Sequence, residues 1–175
     1  DNLLSRDPVP WLPPEAKPGG TLYLHEGSDY SGLNFLTENA SPVTEIGTFV
    51  APPLIMRHKK DDTRWRPELA YSMKTPDEGF TYIFKIRDDV VWQEPKVDWA
   101  SGRYDWLKGT HKVTARDLEF MMDMLMNPQV TGAAPMRSYL EDLDSYRAID
   151  ATTFEIKFKK RAFSQRSVVL PSLYA

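Results

Sequence analysis

The fold of this chain is decided by the segment DEGFTYIFKIR at residues 77–87, a turn that leads into a run of alternating residues. Apolar side chains fall on every second position of the run, namely Phe80, Tyr82, Phe84 and Ile86. Successive side chains of a strand point to opposite faces, so this spacing is typical of a half-buried β-strand. We therefore expect a strand over residues 80–87 with one face in the core.

A capped helix follows in VTARDLEFMMDMLMNP, residues 113–128. Thr114 and Asp117 match a capping box, in which each side chain bonds the backbone amide of the other residue. Proline cannot donate the next helical hydrogen bond, so the helix is predicted over residues 115–126. Its methionines at helical spacing are interpreted as core packing rather than as soft-metal ligands.

A second alternating run is TTFEIKFKK at residues 152–160. It is expected to pair with residues 80–87 in a mostly antiparallel sheet that the helix covers. Residues 21–25 also alternate and predict a short strand, whereas residues 43–55 predict a helix or an extended apolar segment broken by Pro52 and Pro53. The expected fold class is mixed α/β, of the α+β type.

The order of these segments resembles that of the family 5 extracellular solute-binding proteins. These are ABC-transporter receptors that capture peptides, nickel complexes or oligosaccharides outside the cytoplasmic membrane. The resemblance runs from Gly20 to the C-terminus and rests on GTL, a Leu-Ala pair after a proline, DEGFTYIFKIR, VTARD and DATTFEIKF in that order. Family members usually reach the Val-Thr-Ala helix through a short turn, whereas residues 93–112 intervene here.

The resemblance implies part of a periplasmic-binding-protein-like class II fold, built of first-lobe segments and a small inserted domain with an antiparallel sheet and packed helices. Because family members are several hundred residues long, we interpret these 175 residues as an N-terminal fragment. The expected divisions are a proline-rich tether at 1–20, a first-lobe strand and ligand-side loop at 21–48, the small domain at 49–160 and a return to the first lobe at 161–175. One wall of the ligand cleft would then be absent.

The implied function is the substrate-binding component of an ABC transporter. Such a receptor is expected to be a monomer that takes up a peptide, an oligosaccharide or a similar small solute and delivers it to a membrane permease. It needs no cofactor, metal or catalytic residue. The expected location is periplasmic or extracytoplasmic, with a lipid anchor left open. The proline-rich start favours an extended tether, or else a segment that docks through Trp11.

The resemblance places the ligand-side loop at residues 37–42. Asn39, Ala40 and Ser41 are the ligand-binding candidates, through backbone groups that recognise an extended chain without reading its side chains. The alternative interpretation is a helix-entry turn, because Ser41 followed by Pro42 suits the N-cap and the first helical position. Both interpretations can hold together.

Composition excludes several other classes of function. A net charge of −3 offers no basic surface for nucleic acid, and the absence of cysteine removes thiolate chemistry and disulfides. The three histidines lack metal-ligand spacing. Asp98 and Asp105 could serve as the acid and base of a small hydrolase, but no supporting motif accompanies them.

The segment at residues 93–112 carries the second candidate surface. Trp92, Trp99 and Trp106 recur every seven residues, with Tyr104 between the last two. Aromatic faces of this kind stack on sugar rings, so the alternative function is a stand-alone carbohydrate-binding module. The competing interpretation is that these rings staple a long loop to its own domain.

Overall fold

The computed structural model describes residues 2–5, 15, 17–34, 36–38, 40–58, 61 and 63–173, without the side chains of 167 and 168. The described part of the chain is a mixed α/β structure, as expected. Its helices are α1 (Ser41–Val50), α2 (Ala115–Met126) and α3 (Ala134–Ser138), and its strands are β1 (Ile55–Arg57), β2 (Trp65–Pro67), β3 (Ala70–Lys74), β4 (Thr81–Ile86), β5 (Leu143–Asp150) and β6 (Thr153–Phe158).

The main sheet has four strands in the order β3-β4-β6-β5, all antiparallel. The predicted pairing of the two alternating runs is confirmed, with Phe84 opposite Phe154 and Tyr82 opposite Ile156. All four of these side chains are buried. Burying one such side chain stabilises the fold by about 1.5–3 kcal/mol, so this central pair of strands anchors the core.

Phe80 departs from the predicted pattern. It precedes β4 and leaves 38% of its surface exposed, although Tyr82, Phe84 and Ile86 are buried as expected. The guanidinium of Arg161 lies 5.8 Å from the centre of its ring. A cation over an aromatic face is attracted by the ring quadrupole, so Phe80 is covered by Arg161 rather than by the core.

Helix α2 has the predicted bounds, Ala115–Met126, and its capping box is present. The Asp117 carboxylate accepts the backbone amide of Thr114 at 2.7 Å and the Thr114 hydroxyl at 2.9 Å. Leu118, Met122 and Leu125 are buried in the core. The helix packs against β5 and β6, which confirms the predicted cover of the sheet. Core packing is confirmed for Met121, Met122 and Met126, whereas Met124 is not part of the core cluster.

The N-cap of helix α1 lies one residue earlier than predicted. Ser41 is the first helical residue and Ala40 occupies the N-cap, so the expectation of an N-cap at Ser41 is wrong. Alanine has no side-chain acceptor, and the Ala40 amide donates instead to Glu38 Oε1 at 3.1 Å. The helix ends at Val50, and Ala51 is extended because Pro52 disfavours a helical residue before it.

The predicted strand at residues 21–25 is absent. This segment has no assigned secondary structure, and Leu22, Tyr23 and Leu24 are 77%, 90% and 55% exposed. A strand needs a hydrogen-bonded neighbour, and no described residue pairs with this segment in the sheets. The alternation of side chains is therefore insufficient to form a strand here.

Within the segment interpreted as a tether, residues 2–5 lie on the domain. Leu4 is buried and forms an isolated bridge with Trp65, and the Leu3 amide donates to Met73 O at 2.9 Å. Trp11 and most of the proline-rich stretch fall outside the described residues. Sequence alternation provided no signal for this contact.

Segments that are far apart in sequence share one core. Leu54 donates its amide to Leu173 O at 2.8 Å, and both side chains are buried together with Val169 and Leu170.

Among the helices of the described residues, none has the length and apolar character that a membrane crossing requires.

The capping box predicts a measurable stability change. Replacing Thr114 with alanine (T114A) removes the hydroxyl that bonds the Asp117 carboxylate. Loss of a Thr cap costs about 1 kcal/mol, so the free energy of unfolding in a urea titration should fall by about that amount. T110A, in the exposed loop before the helix, is the matched control and should leave it unchanged.

The β5–β6 turn predicts a pH dependence of stability. The hydroxyl of Thr153 and the amide of Thr152 donate to the Asp150 carboxylate at 2.7 and 2.8 Å, and these bonds hold the pKa of Asp150 at about 2, below its ordinary 3.8. A pKa lowered by folding stabilises the protein above the unfolded value, and the benefit disappears as pH falls through the folded value.

The melting temperature of wild type should therefore exceed that of D150N at pH 6, and the difference should shrink between pH 4 and pH 2. D88N, which changes an exposed aspartate at the end of β4, serves as the control at each pH. A wild-type advantage that stays constant down to pH 2 would contradict the assignment.

Candidate functional site

In the loop before α1, the Glu38 carboxylate accepts hydrogen bonds from residues on both sides of it in sequence. Glu38 Oε2 accepts the amide of Ser31 at 3.2 Å and also its hydroxyl, while Oε1 accepts the amide of Ala40 at 3.1 Å. Asn34 adds a turn, because its carbonyl accepts the amides of Thr37 and Glu38 at 3.0 and 2.9 Å. These bonds connect Ser31, Asn34, Thr37, Glu38 and Ala40.

The predicted ligand residues lie at the end of this loop. Ala40 is half-buried at the N-cap of α1, and Ser41 is exposed as its first residue. Asn39 lies outside the described residues. The structure thus joins two of the three candidates at a helix entrance, which agrees with the helix-entry interpretation apart from the one-residue shift of the cap. Their role in ligand binding stays a prediction.

Two carboxyl groups add negative potential near the exposed face of α1. The pKa of Glu26 is raised, chiefly by a hydrogen bond shared with the Glu45 carboxyl and then by desolvation and the Glu45 charge. Two neighbouring carboxylates resist ionising together, so one of them holds a proton more readily than usual.

A cavity of about 560 Å³ lies between α2, the C-terminal end of α1 and the loop that precedes α1. Its polar lining residues are Asn34, Asp117 and Ser172, and the rest is largely apolar. The apolar side chains come from several separate segments: Leu33, Leu36, Val50, Trp92, Phe120, Met121, Leu125 and Met136. Sequence reasoning missed this cavity because no single segment carries its pattern. Neither Ala40 nor Ser41 lines it.

The mouth of the cavity carries large apolar side chains in contact with solvent. Phe120 and Val50 are 62% and 64% exposed, and Leu33 is 53% exposed. A continuous exposed apolar surface marks an interaction site more often than scattered single residues do. The cavity and its mouth are together called the apolar cleft below.

The insertion at residues 93–112 leaves the domain and returns to the same point. Its base is closed by the amide of Trp92, which donates to His111 O at 2.8 Å, and by an antiparallel bridge between Val91 and Lys112. Trp106 is 73% exposed, so the expectation that it staples the loop is wrong. Trp106 lies in a short turn at Asp105–Leu107 that directs its ring into solvent.

The two acids that could serve a small hydrolase, Asp98 and Asp105, have local structural roles. Asp98 Oδ1 accepts the amide of Ala100 at 3.1 Å and caps a short 3₁₀ turn. Asp105 Oδ1 pairs with Lys108 Nζ at 2.6 Å. Both are therefore accounted for by turn formation. In the part of the chain that the structure describes, no group of three or more potential metal ligands comes together.

Comparison with known proteins gives the family. Residues 64–175, well over half of the chain, match the family described as "Bacterial extracellular solute-binding proteins, family 5 Middle". A search of curated proteins found no match to this chain.

Solved structures share the fold at low sequence identity. DppA from Helicobacter pylori, in complex with peptide STSA, aligns with a TM-score of 0.62 and 16% identity, over 83% of this chain and 28% of that one. AppA from Bacillus subtilis, in complex with a nonapeptide, gives 0.60 and 18%, over 84% and 25%. NikZ from Campylobacter jejuni, in complex with Ni(L-His), gives 0.53 and 21%, over 71% and 21%.

These structures support the periplasmic-binding-protein-like fold of the described residues. The chain spans about a quarter of the length of the solved structures that it matches. With the family match, the strand order and the capped helix in agreement, the chain belongs to the bacterial extracellular solute-binding proteins of family 5.

Proposed function

We propose that this chain is part of the substrate-binding component of an ABC transporter, which captures peptides or related small solutes outside the cytoplasmic membrane and delivers them to a permease. The observation that carries the proposal is the family match over residues 64–175. The fold shared with receptors that hold a peptide supports peptides as the first ligand class to test. The proposed receptor is monomeric.

The proposed arrangement divides the chain between two parts of the receptor. Residues 49–160 form the small domain, whereas 21–48 and 161–175 belong to the first lobe. Since the matched structures are about four times as long, most of the ligand cleft is supplied by further chain. In this arrangement the 175 residues alone contribute only one side of the cleft.

The ligand side of this part is the entrance of α1. Backbone groups at Ala40 and Ser41, with Asn39, would bond an extended chain without reading its side chains. The Glu38 carboxylate fixes the helix entrance by accepting the Ala40 amide, so that amide is not among the groups offered to a ligand. Binding sites of this kind combine a pre-formed surface with a few polar groups and need no reacting residue.

The carbohydrate-binding module remains the second candidate, because Trp106 offers an open ring. Trp99 and Tyr104, however, are half-buried, and the Arg103 guanidinium lies 5.6 Å from the centre of the Tyr104 ring. A sugar platform needs accessible aromatic faces. Trp92 is exposed too, at 46%, but it lines the cavity beside α2. With two of the four rings half-buried, the receptor is the better supported function.

The proposal is tested by calorimetric titration of the 175-residue chain and of the full-length protein that contains it. The probe is a pool of di- to pentapeptides, followed by a pool of oligosaccharides. The full-length protein should bind peptides, and the 175-residue chain should bind neither pool. In the full-length protein, S41W places a large ring at the proposed ligand side and should weaken peptide binding about tenfold or more, equivalent to about 1.4 kcal/mol.

The matched control is T48W, two turns along the same exposed face of α1 and about 10 Å from Ser41. It should leave the affinity within about twofold of wild type. Oligosaccharide binding by the 175-residue chain that is lost in W106A would replace the receptor with the carbohydrate module. If S41W and T48W weakened peptide binding equally, Ser41 would not be part of the ligand site.

A further inference from the structure

The loop before α1 comes close to the turn between α2 and α3 at a glycine. Gly132 lies in a short 3₁₀ turn, Thr131–Ala133, between α2 and α3. A Cβ atom built on Gly132 would lie 2.7 Å from Thr37 Cα, 2.8 Å from Thr37 O and 2.9 Å from Thr37 Cβ. Carbon atoms in ordinary contact stay about 3.5–4.0 Å apart, so no larger residue fits without movement.

The contact is made against backbone, which cannot yield by changing a rotamer. Two of the three atoms that a methyl group would meet are Thr37 Cα and Thr37 O. Close approach of two backbones is one of the situations that require glycine. Any added side chain must therefore displace either the loop or the turn that carries Gly132.

The turn is held in place by a charged side chain. The guanidinium of Arg137 donates to three carbonyls around it, those of Leu125 at 2.8 Å, Asn127 at 2.5 Å and Val130 at 3.0 Å. Hydrogen bonds from a charged donor are about twice as strong as neutral ones. Arg137 thereby ties the end of α2 to the residues just before Gly132, and Ala133 is buried beside it.

Displacement of Thr37 would be passed on to the predicted ligand residues. The amides of Thr37 and Glu38 both bond Asn34 O, and the Glu38 carboxylate bonds the amides of Ser31 and Ala40. Only Glu38 and residue 39 separate Thr37 from Ala40. The loop therefore moves as a unit rather than absorbing the shift at one residue.

We propose that Gly132 is a positioning residue for ligand binding: it seats the 34–38 loop against the small domain and so sets the location of Ala40 and Ser41. The ligand part of this inference rests on the proposed function. It assigns to the small domain a direct share in shaping the cleft, through a contact that involves no ligand atom. Gly132 itself need not touch the solute.

The first test measures amide hydrogen exchange in the full-length protein without ligand. G132A should raise exchange at the amides of Thr37, Glu38 and Ala40 about tenfold or more, while the amides of β4 and β6 keep their wild-type protection. The matched control is G27A, because a Cβ on Gly27 meets nothing within 4 Å and Gly27 lies outside the loop that Glu38 holds. Unchanged loop exchange in G132A would overturn the contact, and equal loss of protection in β4 and β6 would make its effect global rather than positional.

The second test measures affinity for the di- to pentapeptide pool with the same proteins. G132A should weaken binding about tenfold, whereas G27A should match wild type. Unchanged affinity in G132A, with wild type binding peptides normally, would overturn the positioning role but leave the proposed function intact. Failure of wild type to bind would contradict the proposed function and the ligand part together, and the exchange measurement would still decide the contact itself.

Discussion

The antiparallel pairing of β4 with β6 is the constraint on which the rest of the described structure depends. It places Phe84 opposite Phe154 and Tyr82 opposite Ile156, and these side chains form the floor on which α2 lies. More than sixty residues lie between the two strands in sequence, and the pairing of the strands closes them into one long connection. The insertion at 93–112 can extend from the domain because the bridge between Val91 and Lys112 returns it to its starting point before α2 begins.

From this core, a series of contacts reaches the loop before α1. Arg137 ties the end of α2 to the turn that carries Gly132, Gly132 lies against Thr37, and Glu38 holds Ala40 at the entrance of α1. These contacts involve backbone groups or a charged side chain. Under the proposal they set where the loop lies, beside an apolar cleft that is open at its mouth.

The apolar cleft and the exposed residues 22–24 share a physical explanation under the proposed function. Both present large apolar side chains to solvent, including Leu22, Phe120 and Val50. Contiguous apolar surface of this kind is normally covered by other protein. The matched structures are about four times as long as this chain, so further receptor chain is the cover that the proposal implies.

The sequence by itself determined the elements whose signals are local: the alternation of β4 and β6, the bounds of α2, and its capping box. It also carried the family, because the order of those elements is written along the chain. The prediction of a strand at 21–25 was wrong because a strand forms only beside a hydrogen-bonded neighbouring strand. Only the tertiary structure decided where residues 2–5 lie, how exposed Trp106 is and where the apolar cleft forms. It also decided that Gly132 contacts Thr37. Each of these depends on segments distant in sequence, whose approach is set by packing rather than by any pattern within one segment.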